Sequence, residues 1–267
     1  MNVIPLSAFD LSIAAGLVVL LAVLSVAMHL RLGKQIIIAA IRTTVQLLLI
    51  GLVLKTLFER ADIIWVMLLA FVMLSVAGYE VMARQKRSFG GWWGYGLGTL
   101  SMFISSFTIA LFVLIAVINV EPWYTPQYAI PLLGMMLGNT MTGVALSLDR
   151  LTTGAYEKRG IIEAQLILGY EWRPAISEIV RESVRVGLMP MINSMAAAGI
   201  VSLPGMMTGQ ILGGSPPMEA VKYQILIMFM IAAGTGFASM GATWLGARHL
   251  FDERQRLRLD RLKEGRT

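Results

Sequence analysis

The chain lacks cysteine altogether, and of its 267 residues only two are histidine. No disulfide, zinc–thiolate site, iron–sulfur cluster or cysteine nucleophile can exist in it, and a His-rich metal site is excluded. Charge is scarce as well: 14% of residues are Asp, Glu, Lys or Arg, against roughly 25% in an ordinary soluble domain. That scarcity, with the absence of low-complexity sequence, excludes a disordered chain and a coiled coil. There is no G-x-x-x-x-G-K-[ST] phosphate loop and no H-E-x-x-H. No Ser–His pair lies at membrane depth and no paired Asp spans two hydrophobic segments, so intramembrane hydrolytic chemistry has no support. What is present is apolar: 57% of the residues and a mean hydropathy of +0.71. These values describe an integral membrane protein. The net charge of +6 is placed beside hydrophobic segments, as expected for a membrane surface and not for nucleic acid.

Seven stretches are long and apolar enough to cross a bilayer as helix: Leu11 to Leu30, Ile36 to Leu54, Ile63 to Tyr79, Leu97 to Val120, Tyr128 to Leu148, Val186 to Gly214 and Tyr223 to Ala247. The fold class is therefore all-α and polytopic, one transmembrane domain over residues 1–267. The first stretch lacks a basic n-region and reads as a retained helix, not a signal peptide. Of the 22 Lys and Arg residues, eighteen fall in alternate loops and the tail from Arg248 onward; the opposite loops hold only Lys55, Arg60 and Lys222. Because cytoplasmic loops retain positive charge, the expected topology is N-terminus outside and C-terminus inside, in the cell (inner) membrane. Trp92, Trp93 and Tyr95 at one edge, and Trp123, Tyr124 and Tyr128 at the other, read as interface anchors. His29 and His249 also read as interfacial.

One polar stretch separates spans: residues 149–185, with twelve charges, six of each sign. Ile176, Ile179, Val180, Val184 and Leu188 form a stripe opposite Glu178, Arg181, Glu182 and Arg185, the pattern of an amphipathic helix. A shorter helix from Glu157 should end at Gly169, and the run from Tyr170 to Pro174 reads as the reversal, since a residue before proline disfavours helix. The result is a hairpin projecting from the membrane. It is either a solvated interfacial element or a docking lever for a soluble partner, carried by Glu163, Gly169, Tyr170, Glu171, Trp172 and Arg173.

Span 6 is the most irregular. Pro204 should kink or break it, Gly205, Gly209 and Gly213 offer a flat face for helix approach, and Asn193, Ser194 and Ser202 add polar groups. Span 5 repeats the idea with Gly134, Gly138, Asn139 and Thr140. Tight packing explains the glycines. The Asn and Ser neighbours point to a wet or protein-buried surface, because polar groups at membrane depth need one. Arg42 is the one charge inside a span, with Gln46 a turn away, and an arginine at the bilayer centre costs roughly 2.5–3.5 kcal/mol on insertion scales. It faces the pathway, pairs with Glu80, or snorkels to the headgroups. The candidate pathway set is Arg42, Gln46, Asn139, Thr140, Asn193, Ser194, Ser202, Pro204 and Gly205. Eighteen methionines, among them Met195, Met206 and Met207, read as gap-filling side chains ahead of thioether metal ligands.

The run from Gly199 through Ser202-Leu203-Pro204-Gly205-Met206-Met207 to Gly214, continued by Pro217, Ala220 and Val221 to Ile225, resembles the signature of the FetB-type iron-export ABC permeases, a family that also includes plant aluminium-tolerance half-transporters. Ile130-Pro131, Gly134-Met135, Gly138-Asn139, Leu168-Gly169 and Arg42 with Gln46 extend the resemblance from about Arg42 to Arg248. Glu163-Ala164 with Gly169 is similar to the coupling loop of ABC membrane subunits, although the Ile-x-Leu-Pro that closes such loops has no clean counterpart here. The resemblance implies a permease without enzymatic activity, paired with a separately encoded cytoplasmic ABC ATPase, two copies of each. This chain would bind no cofactor, and ATP and magnesium would reside on the partner. Export of iron, another metal or a metal-linked solute follows from the same source. The competing class is a self-sufficient secondary transporter or channel, which would need coupling charges that the span interiors, Arg42 apart, do not supply.

Overall fold

A computed structural model describes residues 7–60 and 62–264. Ten α-helices occur among them: α1 (Ala8–Ala27), α2 (Gly33–Arg60), α3 (Ile63–Ala83), α4 (Trp92–Met102), α5 (Thr108–Phe112), α6 (Pro126–Glu157), α7 (Arg159–Ile167), α8 (Trp172–Ala197), α9 (Gly205–Leu212) and α10 (Pro217–His249). Two π-helical turns, Phe103–Phe107 and Val113–Val117, make α4 and α5 one rod. Ser7 and Asp10 close a capping box at the start of α1, and the Asp62 carboxylate accepts from Ile64 N–H at the start of α3. Each satisfies backbone donors that a helix start leaves orphaned.

Six helical segments are long and apolar enough to cross a membrane: α1, α2, α3, the α4–α5 rod, α6 and α10. The remaining sequence segment, Val186 to Gly214, is not one helix. Helix α8 stops at Ala197, residues 198–204 unwind, and α9 starts after Pro204, which supplies no N–H and caps the new helix with extended backbone. The two pieces still run the depth of a span. Gly187 sits at Gly143, which itself lies against Thr235 and Ser239 of α10, while the unwound turn and Met207 share a cavity with Met228, Gln224 and Val221. From Ser239 back to Val221 is ~27 Å of α10, close to the ~30 Å of a hydrocarbon core.

Helices α6, α8 and α10 form the centre, with α3 and the α4–α5 rod against them. Leu148, Leu151, Ile162, Trp172, Ile176, Leu250 and Phe251 make one core cluster, and Ile130, Leu133, Met136, Met191, Ile227 and Ile231 another. Helices α1 and α2 stand at the periphery, with Leu57 a large buried side chain on α2. Long stretches of exposed leucine, isoleucine and valine on these two helices would be untenable in water and are what lipid requires.

The tail is folded. Strand β1 (Arg87–Phe89) pairs antiparallel with β2 (Leu262–Glu264), and the β1 segment is tied to α6 through Lys86 N–H to Asp149 Oδ1 (2.7 Å) and Thr152 Oγ1 to the Arg87 carbonyl (2.8 Å).

Candidate functional site

Helices α6, α8 and α10 approach closely because small residues recur every fourth position: Gly143 and Ser147, Ser183 and Gly187, Thr235, Ser239 and Thr243. A methyl group at Gly143 would lie 3.1 Å from both the Gly187 carbonyl oxygen and Ser239 Oγ and would collide with Thr235; one at Gly187 would collide with Ser147. The seam is tight, and its hydroxyls on Ser147, Thr235, Ser239 and Thr243 are buried without a hydrogen-bond partner among the described residues. Beside it, Ser105 donates to the Gly234 carbonyl at 2.7 Å, and Ser106 reaches Thr140 at 3.5 Å. Both serines lie in the first π-helical turn, whose wider winding turns them toward α6 and α10.

Gly205 and Gly209 of α9 and Gly138 of α6, by contrast, have nothing within 4 Å of where a side chain would begin. The flat face expected at Gly205, Gly209 and Gly213 is therefore open at the first two, while Gly213 meets only the carbonyls of its own turn, and the helix-packing glycines include Gly143 and Gly187, along with Gly78, Gly98 and Gly234. Of the nine pathway candidates, Thr140 is buried and Pro204 half-buried, while Arg42, Gln46, Asn139, Asn193, Ser194, Ser202 and Gly205 are exposed. They do not converge on one cavity. Asn139 on α6 and Asn193 on α8 lie on the same side of the Gly143–Gly187 crossing, ~6 and ~9 Å along their helices, and the Asn139 amide is occupied by the Met135 carbonyl at 2.8 Å. The exposed polar and small residues are distributed over α6, α8, the unwound turn and α9. Arg42 sits elsewhere, paired with Glu80 of α3, which Arg84 also approaches at 3.7 Å.

At the break in the split span, Gly199 takes φ +81°, a conformation natural to glycine, and its N–H donates to the Ser202 carbonyl at 2.9 Å. The turn roofs a cavity of about 490 Å³ lined by Met195, Leu203, Pro204, Met207, Gln224 and Met228 among others. Gln224 is 8% exposed and its Oε1 has no partner among the described residues. Sequence reasoning missed it, since one amide inside an apolar stretch carries no periodic signal. Among the described residues no three His, Cys, Asp or Glu side chains gather.

At the other end of α8 the hairpin closes at Gly169, φ +89°. Gly169 N–H donates to Leu166 and Tyr170 N–H to Gln165, each at 3.0 Å, the double bond of a Schellman cap. The reversal runs from Gly169 to Glu171, earlier than expected from Pro174. Arg173 and Pro174 lie in the first turn of α8, where a proline forfeits no intrahelical bond. Ile167 and Leu168 are 85% and 76% exposed at the tip, and Tyr170, Glu171 and Arg173 are exposed beside them. Trp172 is not part of this exposed tip: it is buried against Phe251 at 5.7 Å between ring centres, its N–H bonds to Gln255 Oε1 at 2.9 Å, and Arg173 and Arg248 lie over its ring. The tail thus braces the hairpin, and a cavity of about 610 Å³ between them is lined by Glu163, Tyr170, Glu171, Arg254 and Arg256 among others. The signal was present in Phe251, Leu257, Leu259 and Leu262, apolar residues recurring in an otherwise charged tail.

Residues 8–251 match the family described as an uncharacterised protein family, UPF0014. Protein ALUMINUM SENSITIVE 3 of Arabidopsis thaliana is 36% identical over 87% of this chain and 83% of its own length. UPF0014 membrane protein YjkA of Bacillus subtilis is 32% identical over 93% and 98%, and the probable iron export permease protein FetB of Escherichia coli is 31% identical over 96% of each chain. No solved structure matches.

Proposed function

The chain belongs to the UPF0014 family of multi-pass membrane proteins, and from that premise we propose that it is the permease subunit of an ABC transporter, driven by a separate cytoplasmic ATPase. The observation that carries the reading is the hairpin: Ile167 and Leu168 stand bare at its tip, beyond the membrane helices, and α8 runs from that tip without interruption to the break before Pro204. A rigid helix with an apolar knob at one end and a hinge at the other can carry a push from a soluble motor into the membrane. The charge asymmetry supports a cytoplasmic hairpin and tail, in the inner membrane of a bacterial cell. In this reading ATP and magnesium belong to the motor.

The exposure of Asn139, Asn193, Ser194 and Gly205 supports two copies of the chain per transporter. Polar amides at membrane depth are poorly solvated by lipid, and a second copy would cover them and enclose a path. Similarity to the probable iron export permease supports export of iron, another metal or a metal-linked solute.

The test is co-expression with an ABC ATPase encoded beside it. Co-purification that Ile167→Glu with Leu168→Glu abolishes, and ATP-dependent solute movement in proteoliposomes, is the expected result. Gradient-driven transport by this chain alone, indifferent to ATP, would establish a secondary carrier instead.

A further inference from the structure

A second groove, of about 670 Å³, opens where α10 ends, lined by Trp93, Leu245, Arg248, Arg254, Arg256 and Arg261 among others. Four guanidinium groups face it against two acids, Asp252 and Glu253. Asp252 is consumed by Arg256, 2.8 Å away. Arg261 uses one nitrogen on the His249 carbonyl at 2.7 Å. Among the described residues no carboxylate lies within 4 Å of the guanidinium of Arg248, Arg254 or Arg261. The tail loop that presents these groups is built, not loose: Asp252 Oδ1 accepts from the N–H of both Arg254 and Arg256, and Arg258 N–H bonds to the Leu250 carbonyl at 2.7 Å.

The groove also sits at the membrane boundary. Trp93 stacks on His249 with ring centres 4.4 Å apart, and the neighbouring Trp92 is 87% exposed at the start of the α4–α5 rod. Exposed indoles mark the headgroup level, and Leu245 provides an apolar wall one turn deeper along α10. Arginines with no carboxylate partner among the described residues, set at headgroup depth beside an apolar wall, match a phosphate attached to acyl chains better than a fully solvated anion. We propose that this groove binds the phosphate of an anionic phospholipid headgroup. Because Arg248 also lies over Trp172, and Arg254 and Arg256 border the cavity at the hairpin tip, a bound headgroup would tie the tail brace of the hairpin to the bilayer surface. The proposal stands whether or not an ATPase docks there.

The test counts phosphatidylglycerol retained by the purified full chain in native mass spectrometry. Arg248→Gln with Arg254→Gln should lower retention by about fivefold per arginine. Arg31→Gln with Lys34→Gln, the same loss of charge elsewhere on the basic side, should leave it unchanged, and millimolar inorganic phosphate should not displace the lipid. Equal retention in the two double variants overturns the proposal. Displacement by inorganic phosphate overturns the lipid source, and loss of a co-purifying protein with unchanged lipid would assign the groove to a protein partner.

Discussion

Arg42 of α2 and Glu80 of α3 form an ion pair across two helices that otherwise touch little. The arginine side chain is 54% exposed and the glutamate 18%, so the pair sits at the edge of the bundle, where lipid or a second subunit screens it less than water would. With few other contacts between α2 and the bundle besides Leu57 and Leu54, this bond helps hold the α1–α2 pair to the core. Arg42→Gln or Glu80→Gln should each lower the detergent-solubilised melting temperature, with a coupling of about 1 kcal/mol in a double-mutant cycle. The swapped pair, Arg42→Glu with Glu80→Arg, should recover part of it. Zero coupling would assign the arginine to another partner.

The seam of α6, α8 and α10 separates two classes of glycine. Gly187→Val must force apart backbones already in contact, and should cost about 3 kcal/mol or more, seen as loss of the monodisperse peak on size exclusion. Gly205→Ala enters open space and should leave the monomer within about 0.5 kcal/mol of wild type.

Because the chain contains no cysteine, single cysteines report without background. Asn193→Cys and Ser194→Cys should react with a membrane-impermeant maleimide in proteoliposomes, and Leu48→Cys, on the exposed apolar face of α2, should not. Uniform protection of all three would argue against a wet face on α8.

The tail brace predicts a stability loss far from any span. Phe251 is 3% exposed against Trp172, so Phe251→Ala should destabilise the hairpin base by about 3–5 kcal/mol. Trypsin cleavage at Arg181 and Arg185 should accelerate while the α6–α8 seam stays intact.

Acid should release the same tail late. Donation from Arg258 lowers the Asp260 carboxyl from 3.8 to about 2, and the Arg256 N–H holds Asp252 below its ordinary value. A depressed folded-state pKa stabilises fully above the unfolded value and loses its effect as pH falls through the folded one. A nitroxide at Glu253→Cys should remain immobile down to about pH 4 and gain mobility between there and about pH 2. Release near pH 6 would show that these carboxylates do not hold the loop.

Much of this was legible in the residues. The break at Pro204, the stop at Gly169 and the polarity of the Glu178 to Arg185 face follow from local chemistry, whereas the residues alone leave Arg42 open between the pathway, Glu80 and the headgroups. The burial of Trp172 did not, because an aromatic at a polar tip reads as exposed until the tail, 80 residues on, is known to fold beneath it. Nor did the roles of the glycines: Gly143 and Gly205 are alike in sequence, and only the neighbours of each distinguish a crowded crossing from an open face.

Composition alone determined that this protein lives in a bilayer, since hydrophobic transfer and helix length leave a chain so poor in charge no other stable environment. The alternation of Lys and Arg gave the expected sidedness, and proline and glycine marked where helices must end. Tertiary structure decided which small residues meet, which polar face stays uncovered, and how the tail joins the hairpin. Those depend on contacts between residues distant in the chain, where a difference of one methyl group separates packing from collision.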